Sequence, residues 1–276
     1  MSVIKVNNIT NRDGTSGPVI AGITTVSSTS HMVVPTGNTG QKVALAPDPY
    51  INNLVLALPF NSESVFDDVS PRGKGTPSIY GMSKTSSLPF GVTGVTTTSS
   101  GIVTFSKYYG TSVYFDGIDD YLTIPPTSDI TLEGSDFTIE FWINPLSSTG
   151  GEFFYWNANS SAFGLRLNIF SGVINFLVSI DGTSHAINTS LTTLSANVWT
   201  HLAISRYRNT LDLYQNGIRI YNNTSFTGAI TAGTNNVIGA RTFAPDYKEC
   251  YLQDLRIYKG VAKYTSNFTP PTQIAL

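Results

Sequence analysis

Tyr114-Phe-Asp-Gly-Ile-Asp-Asp-Tyr-Leu-Thr-Ile-Pro125 and Asp136-Phe-Thr-Ile-Glu-Phe-Trp-Ile-Asn-Pro145 decide the fold class. A short strand runs into an Asp-Gly turn, and a second strand leaves it. In the next stretch Phe137, Ile139, Phe141 and Ile143 fall on one face, and Thr138, Glu140 and Trp142 on the other. Successive side chains of a strand point to opposite sides of a sheet, so this alternation marks a half-buried strand.

Similar signals recur along the chain, separated by turn formers. They cover 53–58, 112–115, 121–124, 137–143, 153–156, 165–169, 173–180, 201–207, 211–215, 218–221, 236–239 and 252–258. No stretch carries a helical period, and evenly spaced short strands predict an all-β antiparallel sandwich or jelly roll. Leu211-Asp-Leu-Tyr-Gln-Asn-Gly-Ile-Arg-Ile-Tyr221 is a hairpin, because Asn216 and Gly217 both accept the positive φ of a tight turn. Its alternation puts Leu211 and Leu213 opposite Asp212 and Tyr214, and Ile218 and Ile220 opposite Arg219 and Tyr221. Asp181-Gly182 marks a second candidate hairpin.

Composition narrows the function. The 276 residues are 41% hydrophobic and 12% aromatic, enough for a sizeable core, while only 12% are charged. Polarity comes from Ser, Thr, Asn and Gly, which suits an exposed particle component or an extracellular protein. The net charge of −2 and the lack of a basic stripe argue against nucleic-acid binding. Cys250 stands alone, so an intramolecular disulfide is impossible, and folding in a reducing cytoplasm is expected. Neither a signal peptide nor a membrane-spanning segment is expected from the apolar runs.

Residues 1–46 differ from the rest, with short apolar pieces such as Val3-Ile-Lys-Val6 and Val19-Ile-Ala-Gly-Ile23 between turn formers. Such a segment is too small for its own core. It is expected to be a short N-terminal β arm that docks on a partner or self-associates, with a flexible tail as the plain alternative. Residues 47–276 read as one jelly-roll domain.

Several motifs, in order, resemble the laminin-G-like, concanavalin A-like jelly roll found in phage and bacterial surface proteins. They are Leu54-Val-Leu-Ala-Leu-Pro-Phe60, Phe66-Asp-Asp-Val-Ser70, Ser112-Val-Tyr-Phe-Asp-Gly117, Trp199-Thr-His-Leu-Ala203, Leu213-Tyr-Gln-Asn-Gly217 and Tyr251-Leu-Gln-Asp-Leu-Arg-Ile-Tyr258. Gly260-Val-Ala-Lys-Tyr264 and Asn267-Phe-Thr-Pro-Pro271 resemble the C-terminal tail of the phage members. The leader Ile4-Lys-Val-Asn-Asn-Ile-Thr-Asn-Arg-Asp-Gly14 is similar to leaders of virion structural proteins in tailed, cyanophage-like phages. The resemblance implies a non-enzymatic virion protein, in a tail fibre, tail appendage or head decoration. It would be made in the host cytoplasm and assembled into the particle. The arm would contact other virion proteins, the jelly roll would face host-surface glycans, and a homo-oligomer, by analogy a trimer, is implied. The alternative is a free-standing calcium-dependent carbohydrate-binding lectin.

Glycoside hydrolysis needs two carboxylates flanking the sugar bond. The resembling glucanases carry Glu-x-Asp-x-x-Glu on one strand, and this chain has no such run. Glu140 lacks an acidic partner on its own face and is expected to be a strand-surface carboxylate paired with an Arg. His31, His185 and His201 are scattered and form no metal motif. Calcium takes carboxylate and carbonyl oxygens from loops, and the expected ligands are Asp68, Asp116 and Asp254, near motifs that approach one another in the resembling fold. The same residue types also simply build turns, and both readings stand. For sugar binding, Trp142, Tyr155 and Trp156 are the expected platforms. Trp142 leads because Phe141 and Ile143 claim the buried face. Trp199 is expected to be buried.

Overall fold

The structure is a computed structural model, and it describes residues 48–60, 68, 70–71, 78–80, 101–103, 112–158, 164–230, 233, 235–241 and 246–271. The expected N-terminal arm, 1–46, lies outside the described residues. The strands are β1 (Leu54–Leu58), β2 (Ser78–Tyr80), β3 (Gly101–Val103), β4 (Ser112–Asp116), β5 (Tyr121–Ile124), β6 (Phe137–Pro145), β7 (Gly151–Ala158), β8 (Leu165–Phe170) and β9 (Val173–Val178). They continue with β10 (Ile187–Thr193), β11 (Thr200–Tyr207), β12 (Thr210–Gln215), β13 (Ile218–Asn223), β14 (Asn235–Ile238), β15 (Ala240–Arg241), β16 (Asp246–Tyr247) and β17 (Glu249–Lys259).

Two sheets form a sandwich, as the alternation predicts. One sheet runs β13-β12-β11-β6-β17-β4-β3, with β1 also on β17. The other runs β10-β9-β8-β7-β14-β5-β2, with β15 and β16 beside it. The ladders are antiparallel apart from the single bridge of β16 to β7. One core fills the space between the sheets. Phe137, Ile139, Phe141 and Ile143 of β6, Cys250 and Leu252 of β17 and Phe154 and Trp156 of β7 all belong to it. Phe154 stacks on both Phe141 and Trp156, with centroids 5.7 and 5.2 Å apart.

The Asn216-Gly217 hairpin forms as read, with φ of 51° and 78°. Its second strand departs from simple alternation. The register shifts between Leu213 and Tyr214, so Tyr221 faces Leu213 and Arg219 faces Tyr214. Such a bulge inserts one unpaired residue and resets the faces beyond it. Tyr221 therefore packs on the core and Arg219 lies on the outer face beside Tyr214. The Asp181-Gly182 turn is not a two-residue hairpin. Val178 pairs with Ile187, and Asp181 holds the longer intervening loop by accepting hydrogen bonds from the Thr183 and Ser184 amides.

The outer face of the eight-stranded sheet positions the candidate site. Residues 261–271 run across β6, β11, β12 and β13 on this face. The Phe268 amide donates to the Gly217 carbonyl, and the Arg219 amide donates to Asn267 Oδ1. Tyr264 and Phe268 stack with centroids 3.5 Å apart, and both rings meet Tyr214 edge-on. Beneath this segment lies a buried polar network. Glu140 is 1% exposed and accepts from Lys263 Nζ and Tyr264 Oη, both at 2.6 Å. Its Oε2 also lies 3.5 Å from His201 Nε2. Glu140 is thus a buried carboxylate held by a lysine and a tyrosine from the tail, not a surface group paired with an Arg. Burial pushes its pKa up, but Lys263 and His201 outweigh this and hold the carboxyl well below its usual range.

Candidate functional site

The outer face remains partly open where the 261–271 segment does not reach. Along β4, Val113 and Phe115 enter the core, so Tyr114 points outward. Tyr251 pairs with Tyr114 on one side and with Asn144 on the other. Thr200 pairs with Ile143, so Trp199, one residue earlier, continues the same row beyond Asn144. Tyr114, Tyr251 and Trp199 are all half-buried. The Tyr114 and Tyr251 rings lie 5.2 Å apart and the Tyr251 and Trp199 rings 6.5 Å apart, each pair tilted by just under 40°.

Polar groups frame this aromatic row. Tyr114 Oη donates to Glu249 Oε1 at 3.1 Å. Burial, then the adjacent Glu249 carboxylate, pushes the Tyr114 hydroxyl far above its usual pKa, and the same two causes raise Tyr251. Asn144, the β6 partner of Tyr251, is 2% exposed, and its buried Oδ1 has no hydrogen-bond partner among the described residues. Stacked aromatic faces beside a few fixed polar groups are what a sugar ring needs, with its apolar C–H face and polar edge.

The residues expected from sequence are placed differently. Trp156 is 0% exposed, in the core, and donates its indole N–H to the Ile130 carbonyl. That corrects its reading as a platform: a side chain between the sheets has no face to offer. Tyr155 is 5% exposed on the other sheet, grouped with Val237 and Ala240 and lying 5.5 Å from the Arg166 guanidinium. Trp142 does point away from the core, as the alternation requires, but it is 5% exposed and packs edge-on against His201, 5.1 Å away. The three share no site. Trp199, expected to be buried, is a member of the row instead.

The three expected calcium ligands do not meet either. Asp68 Oδ1 accepts from the Ala57 and Ser70 amides, fixing the chain against β1. Asp254, at φ 56° in a bulge of β17, accepts from Arg256 Nε at 2.9 Å. Asp116 pairs with Glu249, five residues up β17 from Asp254, or about 17 Å along a strand. The carboxylates that do come together are Asp116, Asp119 and Asp120, with one oxygen of each within 4.8 Å of the others. Asp116 Oδ1 accepts from the Ile118 and Asp119 amides, and Asp120 Oδ2 from the Asp116 amide, so these aspartates also build the turn.

Asp120 is fully buried, and burial pushes its pKa up to about 6 from 3.8. A carboxyl with a raised folded pKa stabilises least when ionised, so stability falls as pH rises through this window. Asp120→Asn is expected to remove that decline between pH 4 and 6, since the amide oxygen can still accept from the Asp116 amide. Denaturant midpoints of both proteins across this range check it, and parallel profiles contradict it.

The sequence matches the family model described as the concanavalin A-like lectin/glucanases superfamily over residues 115–263, more than half of the chain. The chain belongs to this superfamily. The lectin-fold domain also resembles solved structures. One is the binding domain of Paraclostridial Mosquitocidal Protein 1, with TM-score 0.57, 19% identity, and coverage of 78% of this chain and 50% of that one. Another is the receptor binding domain of botulinum neurotoxin D, with TM-score 0.54, 13% identity, and coverage of 80% and 51%. A third is the binding domain of botulinum neurotoxin serotype G, with TM-score 0.55, 12% identity, and coverage of 77% and 49%. The lectin-fold chain spans about half the length of these structures, and at such identities the likeness is one of fold. No curated protein matches the sequence.

Proposed function

We propose that this lectin-fold domain is a non-enzymatic carbohydrate-binding module, carried outward by a structural protein of a tailed-phage virion. The observation that carries the binding role is the half-exposed aromatic row Tyr114–Tyr251–Trp199 with the Glu249 carboxylate at one end. The superfamily and the toxin binding domains of like fold support it. The virion setting rests on the resemblance of the leader and tail motifs, and assigns residues 1–46 to docking on other virion proteins or to self-association.

Two experiments test this. On an array of bacterial surface polysaccharides the full chain is expected to bind, and Trp199→Ala to lose at least tenfold in affinity with an unchanged melting temperature. Array binding that survives the substitution contradicts the site. Light scattering of the full chain and of a chain starting at Asp48 is expected to show an oligomer and a folded monomer. A monomer in both cases removes the assembly role of the arm.

A second reading, a calcium-dependent lectin, is favoured by the Asp116, Asp119 and Asp120 carboxylates alone. Their oxygens are hard donors of the right kind, and Asp120 Oδ1 lacks a hydrogen-bond partner. Calcium there would rigidify the β4–β5 turn, next to Tyr114. That reading expects a chelator to lower both the melting temperature and array binding, whereas the first expects no change.

A further inference from the structure

The aromatic row has a charge character that bears on which glycans fit it, and this step rests on the carbohydrate-binding reading above. Among the described residues, the charged groups tied to the row are carboxylates. Glu249 is hydrogen-bonded to Tyr114, and Asp116 faces Glu249 across the ladder. Asp119, exposed, follows on the same turn. The adjacent cation in sequence, Lys248, is withdrawn. It is 0% exposed, and its ammonium donates to the Ser147 and Thr149 carbonyls at 2.8 Å and to Ser147 Oγ at 3.2 Å.

The row also has a definite extent and direction. Its residues belong to β4, β17 and the entry to β11, and successive ring centroids lie 5.2 and 6.5 Å apart. Neighbouring rings are tilted by 38° and 37°, so the strip is not a flat plate. A single pyranose covers only part of such a strip, while a short linear oligosaccharide lies along it. At one end of the strip a ligand meets the Glu249 carboxylate, which accepts hydrogen bonds and donates none. Hydroxyls satisfy it, whereas a uronate or sialate carboxylate is repelled, because the nearby cation Lys248 is buried and its ammonium is already held by the Ser147 and Thr149 carbonyls.

We propose that the site takes a linear, uncharged oligosaccharide laid across the strands, and that Glu249 excludes acidic sugars. Like charges in apposition are an effective device for rejecting a near-identical ligand, because the penalty falls on the wrong partner alone.

The test uses the full chain and follows Trp fluorescence during titration with neutral trisaccharides of glucose, galactose and mannose, and with trigalacturonate as the acidic counterpart of the galactose trimer. At least one neutral trisaccharide is expected to bind, with its monosaccharide at least tenfold weaker and trigalacturonate undetected. Trp199→Ala abolishes the neutral binding. Glu249→Gln, which keeps an acceptor for Tyr114, is expected to bring trigalacturonate binding to within about threefold of the neutral sugar. Trigalacturonate binding to the unaltered protein as tightly as its neutral counterpart overturns the exclusion but leaves the carbohydrate reading intact. If no member of either set binds, and the polysaccharide array is also blank, the carbohydrate reading itself falls. Unchanged acidic-sugar rejection in Glu249→Gln removes that residue from the role.

Discussion

Glu140→Ala is expected to destabilise the domain by about 3 kcal/mol at pH 7, at the lower end of what losing one member of a buried ion pair costs. The loss has a specific origin. Lys263 Nζ and Tyr264 Oη both donate to this carboxylate, and removing it leaves an ammonium that is only 12% exposed with weaker partners, Asp48 at 3.5 Å and Tyr258 Oη at 3.0 Å. Those remaining contacts are why the loss stays at the low end. Replacing both members with apolar residues, as in Glu140→Leu with Lys263→Met, is expected to recover most of the stability, because no charge is then stranded. Urea midpoints of the three proteins measure this, and a single variant within about 0.5 kcal/mol of wild type contradicts it. The pH dependence has a definite sign. The folded carboxyl titrates below its ordinary value of 4.5, so its contribution is present above that pH and is lost as pH falls through the folded value. Glu140→Ala should flatten the acid limb of the stability profile below about pH 4.5. That window is distinct from the one governed by Asp120, where the slope has the opposite sign.

Gly217→Val is expected to detach the 261–271 segment from the sheet. A Cβ at this position would sit 1.9 Å from the Phe268 carbonyl oxygen, which is backbone and cannot turn aside. The residue also holds φ +78°, a conformation in which a β-branched side chain costs about 1–3 kcal/mol on its own. The amide of Phe268 donates to the Gly217 carbonyl, so moving either residue breaks that bond. A loss of about 3 kcal/mol or more is expected, with rapid proteolytic cleavage after Lys263 in the native protein. Unchanged resistance at that lysine would contradict the docking. Gly217→Ala keeps both the steric overlap and the strain of a Cβ at positive φ, and is expected to detach the segment too, with only the extra cost of the β-branch removed.

Much of the sandwich is legible in the sequence, for a physical reason. Strands such as β6 and β17 carry their large apolar residues on alternate positions because the opposing sheet demands it. β10 escaped notice because it lies at a sheet edge, pairing only with β9, and buries little beyond Ile187. With so few inward positions there is no alternation to read. The broken alternation of β13, with Ile220 and Tyr221 both against the core and Arg219 outward, traces to a bulge, which depends on the partner strand and leaves no mark in the local pattern. The site was less legible than the fold. Alternation correctly turns Trp142 away from the core, but it is silent about a second cover on that face, where residues 261–271 come from far along the chain to bury Glu140 and meet His201, the ring packed against Trp142. Tyr114, Tyr251 and Trp199 each sit in a motif quoted from the sequence, yet only the ladder register brings three separate segments into one row. The calcium expectation rests on three aspartates in separate segments, Asp68 before β2, Asp116 at the end of β4 and Asp254 within β17, and two of them are occupied by Arg256 and by backbone amides.

The meeting of Asp48 with Tyr258 and Lys263 carries a consequence for how the fold is fastened. Residues 210 and 215 positions apart share one hydrogen-bonded patch, so the segment leading into β1 is clasped to the end of β17 and to the segment that follows it. A non-covalent clasp across so long a stretch of chain forms only after the sheet between its two halves has closed, so it acts as a late fastening and not as a nucleus.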